Sequence, residues 1–155
     1  MALAAALGTT QKSGSALLQI LPQKSHTNAF RAPILGRIGC LSVRLAETAQ
    51  EIEAALVLRY QVFFAERDQA SSPVERRDAD HFDDLCDHLL VFDDSLAGPT
   101  ESQIVGTYRL LREEHSLLAG GFYSEAEYDV HGLVNRHKSR RFLELGRSCV
   151  LPEYR

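Results

Sequence analysis

The sequence predicts an α+β domain, and three patterns carry that prediction. Thr48 and Glu51 form a Thr-x-x-Glu pair that opens a stretch in which Ile52, Leu56, Arg59 and Phe63 recur at spacings of four, three and four, the mark of one helix face. Residues 103–112 alternate side chain by side chain, which is the two-residue period of a strand. Residues 142–150 form an apolar, β-prone run closed by Pro152, which has no N–H to give to a sheet ladder.

The elements follow in order. Residues 1–37 read as a variable, disordered basic extension, and ordered structure is expected from about Ile38, with a short strand at 40–45. The capped helix runs from Thr48 to about Ala65, and its apolar stripe includes Arg59. An arginine there either lies at the edge of the stripe with its head in water or meets a carboxylate or ligand. Residues 67–77, with Ser71, Ser72 and Pro73, read as an exposed loop. An acidic block follows: Asp78, Asp80, Asp83, Asp84 and Asp87, interleaved with His81, Phe82, Leu85, Cys86 and His88. Strands at 88–93 and 103–112, joined through Gly98 and Pro99, predict an antiparallel hairpin. In the second, Val105, Thr107, Arg109 and Leu111 are expected on one face, with Ile104, Gly106, Tyr108 and Leu110 on the other. Gly120 and Gly121 break the chain before a short helix around 124–128, and a basic run leads into the last strand.

Composition excludes several functions. The chain has 155 residues, 45% of them apolar, and no apolar run approaches the ~18 residues of a membrane span. Residues 1–46 hold Lys12, Lys24, Arg31, Arg37 and Arg44 and no acid, leaving twelve of the 17 basic residues against all 21 acids in the remainder. That sign disfavours nucleic acid as a partner. The extension superficially has a transit-peptide composition, but no sustained amphipathic period and no secretory pattern. The three cysteines, Cys40, Cys86 and Cys149, lack metal-ligand spacing and read as reduced thiols.

Candidate chemistry gathers in the last strand. Glu144 and Arg147 sit among Leu143, Leu145, Cys149 and Val150, so they pair with each other or engage a ligand. Three residues apart, they point to opposite faces of a regular strand, and a β-bulge near Gly146 brings them to one face. Arg109 is the sole charge on its strand face, which favours a pocket. For the aspartates, a solvated or capping charge run stands beside a ligand site, with a metal site at Asp80, His81, Asp83, Asp87 and His88 as the rival. Cys149 invites a reading as a covalent nucleophile, but between Ser148 and Val150, with no histidine near it in sequence, an inert core thiol is preferred.

Five stretches also carry a resemblance: LRYQVFFAE (58–66), DHFDDLCDHLLVFD (80–93), IVGTYRLLR (104–112), GGFYSEAEYD (120–129) and ELGRSCVLPEYR (144–155). In this order they resemble the ornithine–acyl-carrier-protein N-acyltransferases, relatives of the N-acyl-homoserine-lactone synthases within the GNAT superfamily. The resemblance spans roughly the last three quarters of the chain in colinear blocks, which is more specific than a single motif. It implies a GNAT-like mixed sheet flanked by helices, of which residues 38–155 supply the N-terminal half only. Because the chain stops just after the presumed central strand, little activity alone and a tendency to associate are expected.

The implied activity is transfer of a 3-hydroxyacyl group from acyl carrier protein to the α-amine of ornithine, the first step of ornithine-lipid synthesis. It implies no tightly bound cofactor and no metal, since the donor is acyl-phosphopantetheine on its carrier. A cytoplasmic enzyme visiting the inner membrane surface is expected. Amide formation needs a neutral amine, and Glu144 is the candidate to take its proton or hold the ammonium. Arg147 then binds a substrate carboxylate or orients Glu144. Arg59, Phe63 and Arg109 carry over as acceptor-site residues, with Asp80, Asp83 and Asp84 as the acids for the side-chain ammonium. Arg136, Lys138, Arg140 and Arg141 either dock the acidic carrier or form a solvated loop. A homoserine-lactone synthase is the runner-up, although HLLVFD and ELGRSC fit the ornithine group better and the chain has no tryptophan. A non-catalytic remnant that keeps only the acceptor half is the third alternative.

Overall fold

The computed structural model describes residues 32–64 and 76–155. Five strands, β1 (Gly36–Ile38), β2 (Leu41–Leu45), β3 (Asp87–Asp93), β4 (Ile104–Arg112) and β5 (Leu143–Val150), form one sheet in chain order. The class is α+β, as the sequence predicts. Every strand pairing among the described residues is antiparallel. β1 begins at Gly36, within the stretch expected as extension, and pairs Gly36 with Val43. The rest of that extension up to residue 31, the expected helix end at Ala65 and most of the expected loop 67–77 lie outside the described residues.

Helix α1 (Ala49–Phe63) starts where the Thr48 hydroxyl accepts from Glu51 N at 3.1 Å. The other arm of the capping box reaches further back: the Glu51 carboxylate accepts from Glu47 N at 2.7 Å and from Arg44 Nη1 of β2 at 3.0 Å. Burial pushes the Glu51 carboxyl up, and the bond from Arg44 with that from Glu47 outweighs it, so the group sits below its ordinary value. The Arg44 guanidinium lies 4.3 Å from the Phe92 ring centroid, which ties β2 and β3 to the first turn of α1.

Ala55 and Leu58 of α1 pack on Leu90 and Phe92 of β3, Ile104 of β4 and Cys149 of β5. Full burial of each large aliphatic side chain contributes about 1.5–3 kcal/mol. The alternation expected along β4 fails at one place. Pairing steps from Val91–Gly106 to Phe92–Ile104, leaving Val105 as the extra residue, so Ile104 joins the core beside Leu90. Gly106 is required by close approach, since a Cβ there falls 2.8 Å from Val150 Cγ1.

Between β4 and β5 the chain builds a small lobe from α2 (Glu113–Ser116), a 3₁₀ turn (Tyr123–Ala126) and α3 (Val130–Arg136). The short helix expected at 124–128 is this 3₁₀ turn, and α2 and α3 were not expected. Asp129 caps α3 by accepting from Gly132 N at 2.8 Å. The lobe closes a second apolar cluster of Phe82, Cys86, Leu111 and Phe122, with Val130, Val134 and Phe142 at its edge. Among the described residues no helix is long and apolar enough to cross a membrane.

Candidate functional site

Three arginines and three aspartates from four parts of the chain converge beside β5. Helix α1 delivers Arg59, which is completely buried; its Nε donates to Asp78 at 3.0 Å, and Nη1 and Nη2 donate to the two oxygens of Asp83 at 2.6 and 3.3 Å. β4 delivers Arg109, whose Nη1 donates to Asp80 at 2.6 Å and lies 3.4 Å from Asp83. The acidic segment does not form a helix. It runs as turns in which Asp83 accepts from Asp80 N at 2.8 Å and Asp80 accepts from Phe82 N at 2.9 Å. Burial pushes the Asp83 carboxyl up, but Arg59, the Asp80 N–H and Arg109 together hold it below the ordinary carboxylate range. Burial acts against the charged forms of Arg59 and Arg109 too, and their carboxylate partners prevail, so both guanidiniums are held above their ordinary values.

The bulge in β5 lies beside the expected place. Thr107 pairs with Cys149 and Arg109 with Gly146, so β5 carries one extra residue there, and Arg147 adopts φ +50°. Arg147 differs from the other two arginines. Its Nε is 3.4 Å from Asp78 and Nη2 3.6 Å from Asp80, and among the described residues it donates no hydrogen bond. Its guanidinium lies 5.6 Å from the Tyr123 ring centroid, and that of Arg109 lies 5.5 Å from the same ring.

Glu144 and Arg147 line one cavity of about 60 Å³ with Phe82, Arg109, Tyr123 and Gly146. They do not pair. The Glu144 carboxylate accepts instead from Tyr123 N and Ser124 N, each at 2.8 Å, and from the Ser124 hydroxyl. The cavity has room for a small polar head and not for a long hydrocarbon chain.

Several expected site residues stand elsewhere. Arg59 and Asp83 are consumed by each other in the interior and do not reach the cavity, because a fully desolvated guanidinium needs its carboxylates. Phe63 packs at the margin of the α1 core. Asp84 is exposed and faces away, since the turn that buries Phe82 and Asp83 sends the next side chain outward. Arg136, Lys138, Arg140 and Arg141 are exposed, the first lying 3.8 Å from Asp129. Asp78 and Tyr123, absent from the expected site, belong to it; the Gly120–Gly121 break was the one signal ahead of Tyr123.

Other reactive groups are quiet. Burial pushes the Cys86 and Cys149 thiols up to about 11, which leaves little thiolate at neutral pH. His88 donates from Nε2 to the Asp83 carbonyl at 3.0 Å, and burial lowers its pKa, favouring the neutral ring. Among the described residues no group of three or more His, Cys, Asp or Glu side chains is placed to hold a metal ion.

Residues 58–155 match the family described as acetyltransferase (GNAT) domain. The chain is 52% identical over 140 residues to an L-ornithine N(alpha)-acyltransferase of Agrobacterium fabrum, covering 88% of this chain and 47% of that protein. It is 57% identical over 127 residues to the Brucella abortus protein of the same name, covering 80% and 45%. It is 53% identical over 125 residues to that of Rhizobium meliloti, covering 79% and 42%. The chain thus spans somewhat under half the length of these relatives. A distant likeness to the solved structure of the AHL synthase LasI has a TM-score of 0.43 and 19% identity, over 71% of this chain and 53% of that one.

Proposed function

This chain belongs to the GNAT acetyltransferase family, and on that premise we propose that it carries the amino-acid-binding part of an N-acyltransferase that moves a 3-hydroxyacyl group from acyl carrier protein to the α-amine of ornithine. The names of its relatives support the acceptor and the linkage. The observation that carries the proposal is Arg147, a guanidinium without a hydrogen bond among the described residues, at the wall of a cavity sized for an amino-acid head.

The chemistry follows from that placement. The α-carboxylate of ornithine takes the free donors of Arg147 as a two-pronged contact. Asp80 is the acid of the cluster with the most solvent access, at 24% exposure, and holds an ammonium group of the substrate. With its carboxylate anchored, the α-amine loses its proton through the cavity mouth to water and attacks the thioester carbonyl. The carbon–sulfur bond breaks, and the pantetheine sulfur leaves as a thiol after taking up a proton. The raised thiols of Cys86 and Cys149 support direct transfer over a covalent intermediate. The exposed run of Arg136, Lys138, Arg140 and Arg141 offers the charge that steers an acidic carrier protein. The acylated product is an amphiphile, so the enzyme works in the cytoplasm at the inner membrane surface.

The test is incubation of the purified chain with 3-hydroxyacyl carrier protein and L-ornithine, with amide product read by mass spectrometry. The complete Agrobacterium fabrum relative serves as the positive control and a homoserine-lactone precursor as the competing acceptor. Amide on ornithine, or ornithine binding without turnover, supports the proposal. A chain that neither turns over nor binds ornithine overturns it.

A further inference from the structure

We infer that Glu144 is a positioning residue for Arg147, acting through the Tyr123 ring rather than on a proton. This deepens the acceptor-site proposal and rests on it.

The two residues share β5 and one cavity, yet no hydrogen bond or ion pair joins them. What joins them is the 3₁₀ turn. Glu144 accepts from the backbone N–H groups of Tyr123 and Ser124 and from the Ser124 hydroxyl, filling three of a carboxylate's roughly four acceptor positions. Those bonds fix the backbone from which the Tyr123 ring projects. The approach is set by Gly121 at φ +130°, where a Cβ would fall 2.3 Å from Glu125 Oε2. The ring is braced edge-on by Phe82, with centroids 5.6 Å apart, and lies beside both Arg109 and Arg147.

Arg147 needs that brace. Its left-handed backbone brings the side chain to the cavity wall, and Asp78 and Asp80 face it as ion-pair neighbours at 3.4 and 3.6 Å without an aligned hydrogen bond. An aromatic face against a guanidinium fixes the plane of the cation and leaves its edge donors open, which is the arrangement a carboxylate recognises. With glutamine at position 144 one oxygen can still accept from Ser124, but the amide nitrogen cannot accept from Tyr123 N and meets that N–H donor to donor, so the ring loses its seat. Arg147 then closes the short gap to Asp78 and Asp80 and saturates its donors internally. The ligand carboxylate loses its partner, although Arg147 itself is unaltered.

Isothermal titration calorimetry of the purified chain with L-ornithine and L-ornithinamide reads this directly, because the amide lacks the carboxylate. The wild-type chain is expected to prefer ornithine. Glu144→Gln and Tyr123→Leu are each expected to cut that preference about threefold or more, while Tyr123→Phe, which keeps the ring, retains it. The double variant is expected to fall no further than the worse single. A merely structural loss lowers both affinities alike and leaves their ratio at the wild-type value, which overturns the inference. So does a Glu144→Gln chain that binds ornithine normally and fails only in turnover, the pattern of a general base. Should ornithine not bind the wild-type chain, the acceptor proposal falls, and amide exchange decides the clamp alone. Faster exchange at Tyr123 and Ser124 in Glu144→Gln, with α1 unchanged, supports it; unchanged exchange overturns it.

Discussion

Asp83→Asn removes one charge from the centre of the arginine–aspartate cluster and leaves the shape intact. The wild-type carboxylate is buried and faces Arg59 at 2.6 and 3.3 Å, Arg109 at 3.4 Å and the Asp80 N–H at 2.8 Å. Breaking a buried ion pair from one side costs about 3–5 kcal/mol. Arg59 keeps Asp78 at 3.0 Å and Arg109 keeps Asp80 at 2.6 Å, so neither cation is stranded and the lower end, about 3 kcal/mol, applies. With a urea slope of about 2 kcal/mol per molar, the unfolding midpoint falls by about 1.5 M. Asp84→Asn, at an exposed neighbouring position, is the control and stays within about 0.5 kcal/mol. The pH dependence has a definite sign. Because the folded pKa of Asp83 is depressed, its contribution is fully present above the unfolded value of about 3.9 and is lost as pH falls through the folded one. The gap between wild type and variant is therefore full at neutral pH and closes as pH falls below the ordinary carboxylate range. A variant within about 1 kcal/mol of wild type at neutral pH refutes the account of Asp83 as the centre of the cluster.

Two further outcomes are expected. Of the three cysteines only Cys40 is exposed, while burial holds Cys86 and Cys149 at about 11. A thiol-specific chromogenic reagent near pH 8 should therefore label one cysteine quickly and the other two only after unfolding; three fast thiols would contradict the packing. Gly106→Ala places a methyl 2.8 Å from Val150 Cγ1 and 3.3 Å from the Cys149 carbonyl, so it should force β4 and β5 apart at a cost of about 1–3 kcal/mol. Gly36→Ala meets nothing within 4 Å and serves as the thermal-melt control.

Local chemistry made much of the frame legible. The Thr48 cap, the placement of Arg59 in a buried stripe and the bulge that turns Glu144 and Arg147 toward one cavity all follow from spacing and from the cost of burying charge. Other features are set by distant partners and leave little local trace. β1 exists because Gly36–Ile38 finds β2, although its own side chains are exposed. The burial of both Ile104 and its neighbour Val105 depends on the register shift against β3, which no alternation within β4 reveals. Residue type marked Arg59, Arg109, Asp80 and Asp83 as charges needing partners, but not that they partner one another. Arg59, Arg109 and Arg147 look alike in sequence, and only the positions of three aspartates decide that two are consumed while the third keeps its donors. Tyr123 was missed for the same reason, since an aromatic after a double glycine has many ordinary explanations.

The cluster also sets the order in which the chain can assemble. With α1, the acidic turns and β4 in place, two guanidiniums face three carboxylates, and a folding intermediate would enclose an unbalanced negative charge. The balancing cation arrives on β5, so zipping this strand onto β4 and neutralising the interior are a single event. Strand docking thereby inherits the all-or-none character of charge burial, and a half-formed sheet lacking β5 is disfavoured by electrostatics as well as by its open edge. The arginine left free for a ligand is thus also the last piece that makes the unliganded fold electrically whole.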